Sequence, residues 1–461
     1  MKKLPASSHG RQCRLQVAHN PGSVLSEKVS DDEVMALYKQ CRPKSRKRVY
    51  TVLVTLWTFI AQVLHDDKTL KGAVDRTLGP LVASGKHCPS HDPSGYCKAR
   101  YRLPLEVLVS LVRLVAQRLE QQVTKPYTWH DRHVVLFDGS SVSMPDTPEN
   151  QREYPQPSTQ KKGCGFPVAR IVAAFSLSTG AMLDLAIGKL ADSELWLWQH
   201  LWDILKPGDI ALADRLFGHF ADVCRLHARG LDLVVRIDNT RSIDFRRGER
   251  LGRNDHLVTW KKPQQRSPRL SAAEWAALPS CITLREVRYT LTVRGFQSQN
   301  VVLVTTLLDP KLFPVKDLAD LYRRRWEVET DFSHLKTSLG MNILGGKKPQ
   351  MIVKELWTFM LAYNLVRTLM SEAAKRCHRN PLRISLMDTV HEIRALWPYA
   401  AIIPKDQLAA VYEQLLRIVG NHEIPNRPGR HEPRALKRRH KDYDYMTRPR
   451  EAFRAQAKVI A

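Results

Sequence analysis

The chain has 461 residues, with 72 Lys or Arg against 46 Asp or Glu and a net charge of +26. Hydrophobic residues make up 43% of it, which excludes wholesale disorder, and the length predicts several domains that each bury a core. The excess of positive charge favours a polyanionic partner, either a nucleic acid or an acidic membrane surface.

Signals for secretion and for membrane insertion are weak. The basic N-terminus has no apolar stretch behind it, so a signal peptide is not expected. The longest apolar run, at 51–64, has 14 residues, whereas about 20 are needed to span a bilayer. The eight Cys include no C-x-x-C pair, which is typical of reduced thiols. We therefore expect a cytoplasmic protein that does not bind a membrane.

The pattern of residues 1–128 predicts a helical region. Apolar residues recur at helical spacing in 31–40, 49–63 and 104–122. A basic cluster, CRPKSRKR at 41–48, lies between the first two of these segments. Two interpretations of the cluster stay open: a DNA-contacting arm, or an ordinary solvated charged surface.

Strands begin at about residue 133. The short apolar run at 133–140 contains Asp138 and ends at a Gly-containing turn, which is typical of a buried strand. A loop rich in Pro, Gln and Ser is predicted at 142–163, followed by a hairpin at 169–190.

Helices and strands then alternate. A helix is predicted at 192–205, then a strand at 208–218 that contains Asp214, a helix at 217–229 and a fifth strand at 231–238. This order predicts an α/β fold with a mixed sheet.

The alternation is interrupted at 239–310. Apolar and polar residues alternate at 287–293, and a second apolar run lies at 301–308, so we expect a β-rich insertion. A long helix follows at about 315–339, and further helices reach about residue 419.

One stripe of the long helix carries charged and phenolic side chains. At about 100° per residue, four polar residues fall within about 60° of arc around the helix axis: Tyr322, Arg325, Glu329 and Lys336. Helical spacing alone leaves two interpretations open. The stripe is either a functional surface or a salt-bridged helix surface, since Arg325 and Glu329 form an i, i+4 pair.

Two further acids lie at the ends of predicted strands. Asp138 closes the first strand and Asp214 closes the fourth, so the sheet can bring both to one edge. With Glu329 on a packed helix, they would form the kind of carboxylate group that binds Mg²⁺. Two such ions support an in-line phosphoryl displacement. A single Asp at a strand end is more often a cap or turn residue. The strand positions alone therefore do not decide between a metal ligand and such a structural role.

In combination, these residues resemble the DDE insertion-sequence transposases, in insertion-sequence family four. The helix signature of that group is Y-x-x-R-x-x-x-E-x-x-x-x-x-x-K, and YRRRWEVETDFSHLK at 322–336 matches it. The segments around the two acids, FDGSSVSMPDTPEN (137–150) and ADRLFGHF (213–220), are also similar to the family. The resemblance covers about residues 95–445.

The resemblance implies a fold and a reaction. The expected fold is an RNase H-like catalytic core in which Asp138, Asp214 and Glu329 are catalytic and bind two Mg²⁺ ions, with Mn²⁺ as a substitute. Relatives cut the ends of their own insertion sequence, expose a 3′-OH and join it to target DNA, some of them through a hairpin at the transposon end. The implied partners are double-stranded DNA, as terminal inverted repeats and as target, and a second copy of the chain in the DNA complex. In a bacterium the protein would be associated with the nucleoid.

The resemblance also implies DNA contacts outside the acids. Tyr322, Arg325 and Lys336 would contact the DNA backbone near the cut, an interaction that salt weakens steeply. Arg215, directly after Asp214, has two interpretations of equal weight: it binds a phosphate, or it pairs with a neighbouring acid.

The implied organisation has six segments. They are a helical DNA-binding region at 1–128, the first part of the core at 129–238, the β-rich insertion at 239–312, the second part of the core at 313–372, C-terminal helices suited to dimerisation at 373–426, and a basic tail at 427–461.

Two other functions stay open. One is an RNase H-like nuclease that cuts DNA without joining it, and the other is a catalytically idle DNA-binding derivative.

Several side chains have a second interpretation. His334 on the long helix is expected to be a packed or DNA-side residue and not a general base. Some relatives hold a flipped base against a Trp of the insertion, and Trp260 or Trp275 is either that residue or part of a core. A possible zinc site in a predicted polar loop at 87–96 has a spacing that fits no finger pattern: His87, Cys88, His91 and Cys97.

Overall fold

The computed structural model describes most of the chain. The described residues are 25, 28–41, 49–83, 85, 88, 90–122, 128–237, 241, 243–291, 299–400, 403–425 and 446–460. The predicted basic cluster lies outside them except for Cys41, and so does the predicted basic tail as far as residue 445.

Helices form the N-terminal region, as predicted. Three of them confirm the apolar periodicity, namely α1 (Asp31–Cys41), α2 (Val52–Leu64) and α5 (Leu105–Gln121). Two more, α3 (Leu70–Ala83) and α4 (Ser94–Arg102), were not predicted. Pro80 lies inside α3, and α4 is polar except where Tyr96 and Ala99 are buried, so neither has a clear amphipathic pattern. No helix in the described part of the chain is long and apolar enough to span a membrane.

Nine strands form one mixed sheet. They are β1 (Val134–Ser143), β2 (Val168–Ser176), β3 (Met182–Lys189), β4 (Ile210–Ala213), β5 (Asp232–Arg236), β6 (Glu249–Gly252), β7 (Asp255–Lys261), β8 (Cys281–Leu291) and β9 (Gln299–Thr305). Their order across the sheet is β3-β2-β1-β4-β5-β9-β8-β7-β6. β4 is parallel to both β1 and β5, and the other neighbouring strands are antiparallel. The mixed sheet, the hairpin β2–β3 and the β-rich segment are therefore confirmed, and that segment extends the same sheet.

Both faces of the sheet are covered by helices. Even-numbered residues of β1, such as Val134 and Leu136, belong to one core, which includes α5 and the 28-residue helix α12 (Pro349–Arg376). Odd-numbered residues, such as Val135 and Phe137, belong to a second core, which includes α7 (Glu194–Gln199) and α8 (Phe220–Ala228). This alternation means that residue parity decides which side of the sheet a side chain occupies.

One predicted loop and one predicted helix differ from the structure. The loop predicted at 142–163 contains the helix α6 (Pro148–Glu153), which Thr147 caps. The helix predicted at 192–205 is instead the short α7 followed by a 3₁₀ turn at Trp202–Ile204. Leu197, Trp198 and Trp202 are all buried, and the tighter turn lets the chain bury them together. A further short helix, α9 (Ala272–Ala277), lies in the β-rich segment.

The prediction of one continuous helix at 315–339 is wrong. The chain forms α10 (Val315–Arg323), then α11 (Trp326–Ser333), then a π-helical segment at His334–Ser338. Between the two helices the N–H of Arg325 bonds to the carbonyl of Tyr322, which is a tighter i→i−3 bond than an α-helix makes. In the π segment the N–H of Leu339 reaches back to His334. Constant rotation of about 100° per residue therefore does not hold along this segment.

Helices as far as about residue 419 were predicted and are confirmed, whereas the helix α15 (Arg450–Ile460) within the predicted basic tail was not predicted. After α12 come α13 (Leu386–Ala400), α14 (Lys405–Asn421) and α15 (Arg450–Ile460). α13 and α14 pack on α12.

Candidate active site

Asp138 lies on β1, and Asp214 directly follows the parallel neighbour β4. The prediction that Asp138 closes the first strand is wrong, because β1 stays paired with β2 as far as Ser143. The register of β1 with β4 pairs Val134 with Ile210 and Leu136 with Leu212. The same register, continued by two residues, sets Asp138 opposite Asp214. Both residues have even numbers, so their side chains lie on the same face of the sheet as those of Leu136 and Leu212. Since neighbouring strands lie about 4.8 Å apart, this continued register predicts that the two carboxylates lie close together.

Local hydrogen bonds orient both carboxylates. Asp138 Oδ1 accepts from the backbone N–H of Gly139 at 2.8 Å. Asp214 Oδ1 accepts from the N–H of Leu216 at 2.8 Å, and thus caps the 3₁₀ turn at Arg215–Phe217. Both acids are half-buried, so each keeps part of its carboxylate accessible to a ligand.

The third predicted acid, Glu329, belongs to α11. That helix packs against β1, the strand of Asp138. The side chain of Glu329 lies outside the described part of the structure, so its distance to the two aspartates is not given. Among the described side chains, no group of three or more His, Cys, Asp or Glu is arranged to hold a metal.

Tyr322 and Arg325 lie next to Asp214. Tyr322 is only 7% exposed, and burial raises its pKa, while the charge of Arg325 lowers that pKa and the charge of Asp214 raises it again. The guanidinium carbon of Arg325 lies 5.7 Å from the centre of the Tyr322 ring. The phenol, the guanidinium and one strand-end acid are therefore neighbours.

Lys336 reaches the same strand as Asp138. Its Nζ donates a hydrogen bond to Ser140 Oγ at 2.9 Å, and Ser140 is two residues after Asp138 on the same face of β1. Burial lowers the pKa of Lys336. Although the helix is interrupted between them, Tyr322 and Arg325 lie near Asp214, and Lys336 contacts β1 close to Asp138.

Arg236 is a site residue that the sequence analysis missed. It ends β5, whose register with β4 pairs Ala213 with Val235. One residue further, Arg236 stands opposite Asp214 on the same face, and its charge lowers the pKa of Tyr322. The alternation in LDLVVRID could have revealed it, because Arg236 interrupts an apolar strand on the face shared with Val234.

Arg215 is not buried with this group. It is exposed at the start of the 3₁₀ turn that Asp214 caps. An exposed guanidinium is available to a large anionic partner, while the acids lie deeper.

The other candidates have local structural roles. Trp260 is 3% exposed, its Nε1 donates to Glu286 at 3.0 Å, and the Arg241 guanidinium carbon lies 3.5 Å from its ring centre. Its ring faces are therefore covered, as expected of a core residue. Trp275 lies on α9, with the Lys262 ammonium 5.4 Å from its ring centre.

The possible zinc site has no support among the described residues. His91 Nδ1 lies 3.0 Å from an oxygen of Asp75, and Cys88 Sγ donates to the carbonyl of Leu78 at 3.7 Å. Cys97 is a free thiol within α4, and His87 lies outside the described residues.

Comparison with known proteins identifies the class. Residues 129–365, which contain both strand-end acids and Glu329, match the family described as the transposase DDE domain. The chain therefore belongs to the DDE transposases and is by class a DNA transposase.

Individual relatives place it among insertion-sequence transposases. It is 25% identical over 411 residues to transposase InsG for insertion sequence element IS4 of Escherichia coli (strain K12), covering 88% of this chain and 89% of that protein. It is 19% identical over 360 residues to the probable transposase for insertion sequence element IS5377 of Geobacillus stearothermophilus, covering 77% and 86%. The cryo-EM structure of the piggyBac transposase synaptic complex with hairpin DNA aligns to 92% of this chain and 88% of its own, at 10% identity and a TM-score of 0.44.

Proposed function

We propose that the chain cleaves the ends of its own insertion sequence and joins the freed 3′-OH ends to target DNA. The observation that carries this proposal is the parallel register of β1 with β4, which, continued by two residues, sets Asp138 opposite Asp214. We propose Glu329, on the helix packed against β1, as the third acid.

The proposed core is RNase H-like. The strand order β3-β2-β1-β4-β5, with β4 parallel to β1 and β5, supports this proposal. Strands β6–β9 would then be the insertion between the fifth strand and the helix of Glu329. We propose the same six segments, with the same limits, as those predicted from the sequence.

The donor set at the strand ends fits Mg²⁺, with Mn²⁺ as a substitute. Carboxylate oxygens on rigid strands are hard ligands that leave coordination positions for phosphate oxygens and water. Two bound ions would supply activation of the attacking oxygen and stabilisation of the leaving oxygen. The proposed role of the protein is to hold Asp138 and Asp214 next to each other through the backbone pairing of β1 with β4.

Basic and phenolic residues around the acids would hold the scissile strand. Arg325 and Arg236 present guanidinium groups, which suit bidentate binding of phosphate. Lys336 is anchored to Ser140 on β1, so its ammonium group is positioned before DNA arrives. Tyr322 would donate its hydroxyl to a phosphate oxygen.

The proposed partners are double-stranded DNA, as terminal inverted repeats and as target, and a second copy of the chain. The net charge of +26 supports DNA as a partner, because it attracts the phosphate backbone without sequence specificity.

Cleavage of DNA that carries the element's ends tests the proposal. Wild type is expected to cut in Mg²⁺ or Mn²⁺, whereas Glu329→Gln should bind the same DNA and not cut. Asp320→Asn is the matched acid-to-amide control, since Asp320 is half-exposed and pairs with Arg323. If Glu329→Gln cuts as fast as the control, the assignment of the third acid is wrong.

The products separate this function from its two rivals. Joining of the 3′ ends to a target plasmid excludes a simple nuclease. Binding without any divalent-metal-dependent cutting by wild type would instead favour the idle DNA-binding derivative.

A further inference from the structure

Tyr289 brings a phenol from the β-rich segment to the edge of the sheet at which the candidate active site lies. Its strand β8 pairs Val287 with Leu303 of β9, and Leu303 also pairs with Arg236 of β5. Since β5 and β8 are both antiparallel to β9, they run in the same direction. Tyr289 is two residues beyond Val287, so it lies about 7 Å past the row of Arg236, in the direction in which β4 and β5 end.

The side chain of Tyr289 lies on the face of the sheet that carries the two strand-end aspartates. Val287 belongs to the same core as Leu136, and Tyr289, two residues further along β8, packs against that core. The helix α10, which carries Tyr322, contacts both β5 and β8 on this face. A strand of the β-rich segment and the helix of Tyr322 are therefore neighbours on the active-site side of the sheet.

Three guanidinium groups lie near the Tyr289 phenol. The charges of Arg236, Arg323 and Arg325 act on it, and so does the second phenol, that of Tyr322. Burial, followed by the effect of Tyr322, raises the pKa of Tyr289 to about 12, although the three positive charges lower it. The phenol is therefore protonated at neutral pH, and it can donate a hydrogen bond to an anion that the guanidinium groups attract.

The hydroxyl group of Tyr289 makes no hydrogen bond to the described residues. The neighbouring hydroxyl of Tyr322, by contrast, accepts from Arg325. Tyr289 is half-buried, and its hydroxyl is not one of the fully buried polar atoms that lack a partner, so solvent reaches it. If Tyr289 served only to pack against the core, a phenylalanine would serve as well.

We propose that the Tyr289 hydroxyl donates a hydrogen bond to a phosphate of the DNA strand that is cut. This inference rests on the proposed function and adds a contact from the β-rich segment to those of Tyr322, Arg325 and Lys336. Hydroxyl groups of tyrosine are common donors to DNA phosphates.

The sheet also indicates which phosphate is bound. From Asp214, after β4, to Tyr289 on β8 there are three strand spacings of about 4.8 Å, or about 14 Å in all. A duplex advances about 3.4 Å for each base pair. The bound phosphate is therefore about two to four nucleotides from the cut, and it is not the scissile one.

Binding of the full chain to DNA that carries the element's ends, measured in EDTA, tests the proposal. The test variant is Tyr289→Phe, which removes only the hydroxyl. The matched control is Tyr399→Phe, at a tyrosine of α13 that is 57% exposed. Tyr289→Phe is expected to bind about tenfold more weakly than wild type and the control. The slope of log K against log salt should stay unchanged, because a neutral donor displaces no counterion.

Methylphosphonate substitution locates the contact. Each phosphate within about six nucleotides of the cut is replaced in turn by an uncharged methylphosphonate, and wild type is compared with Tyr289→Phe on every substrate. At one position, about two to four nucleotides from the cut, the difference in affinity between the two proteins should disappear. If the difference is the same at every position, the hydroxyl does not bind a phosphate and the proposal is wrong.

Two further measurements separate the hydroxyl from the ring and from the fold. The Tm of Tyr289→Phe should equal that of wild type, because the lost hydroxyl has no partner among the described residues. Tyr289→Leu removes the ring as well. If Tyr289→Phe binds DNA as tightly as wild type, the proposal is wrong: the ring contacts DNA if Tyr289→Leu binds weakly, and Tyr289 only packs against the core if Tyr289→Leu binds normally.

Failure of this inference can be told apart from failure of the proposed function. If wild type binds and cuts the element's ends and Tyr289→Phe binds them equally well, only the contact of Tyr289 is refuted. If wild type neither binds nor cuts these ends, the proposed function is refuted together with the contact.

Discussion

Removal of the Asp331 carboxylate is expected to destabilise the packing of α11. Asp331 accepts from Arg367 and from the hydroxyl of Tyr363, the latter at 2.8 Å, and all three are buried. Arg367 Nε also donates to the Tyr363 hydroxyl at 2.9 Å. In Asp331→Ala the guanidinium of Arg367 would stay buried without its counter-ion.

The expected cost follows from burial. Both charged side chains are 6% exposed, so solvent screens the pair little, and breaking such a pair from one side costs about 3–5 kcal/mol. Removing both charges leaves no unpaired ion, so Asp331→Ala with Arg367→Met should cost less than Asp331→Ala alone. Tyr363→Phe loses a single hydroxyl and should cost about 1 kcal/mol.

Urea unfolding of the purified variants measures these differences, and hydrogen exchange over residues 326–338 locates them. Because Glu329 is two residues before Asp331, DNA cleavage by Asp331→Ala should fall more than DNA binding. A loss of stability below about 1 kcal/mol, or a double variant as unstable as the single one, would refute the argument. Arg367 would then be solvated through the cavity of about 400 Å³ that it lines.

Three further changes test other parts of the structure. Arg236→Ala should weaken DNA binding and lower the salt slope by about 1, as measured by fluorescence anisotropy, if Arg236 contacts a phosphate. Burial alone would lower the pKa of His133, but hydrogen bonds to Asp209 and Glu120 raise it to about 9. Protonated His133 therefore stabilises the fold fully below the ordinary histidine pKa of 6.5, and this stabilisation is lost as the pH rises through about 9. The Tm should consequently fall between pH 7 and pH 10 in wild type and fall less in His133→Gln. Gly248→Ala should disturb the contact of the segment before β6 with β7 and lower the Tm, because Gly248 has φ +77° and an added Cβ would lie 2.0 Å from the carbonyl oxygen of Leu257. An unchanged Tm would contradict this.

The strand part of the site could be predicted from sequence because it depends on local patterns. Asp138 and Asp214 each end a short apolar run, and parallel strands bring their carboxyl ends to one edge of a sheet. Residue parity then sets both side chains on one face. The same pattern predicts Arg236 as well, because it follows the apolar run of β5 and shares the parity of Val234.

The helical part could be predicted less well. The spacing of Tyr322, Arg325 and Lys336 fits one uninterrupted helix, yet the chain contains a break and a π segment. Neither has a Pro or a central Gly to reveal it. What compensates for the lost helical bonds is tertiary: Arg324 binds the carbonyl of Leu177, and Lys336 binds Ser140. Because these contacts join residues that are far apart in the chain, they leave no periodic pattern in the sequence.

The two halves of the site therefore differ in how their geometry is maintained. The distance between Asp138 and Asp214 is fixed by backbone pairing of β1 with β4, so side-chain changes elsewhere should leave it unaltered. The position of Glu329 depends on an eight-residue helix held by Asp331 on one side and by β1 on the other. Variants that loosen α11 should consequently displace Glu329, the proposed third acid, while the pairing of β1 with β4 is kept.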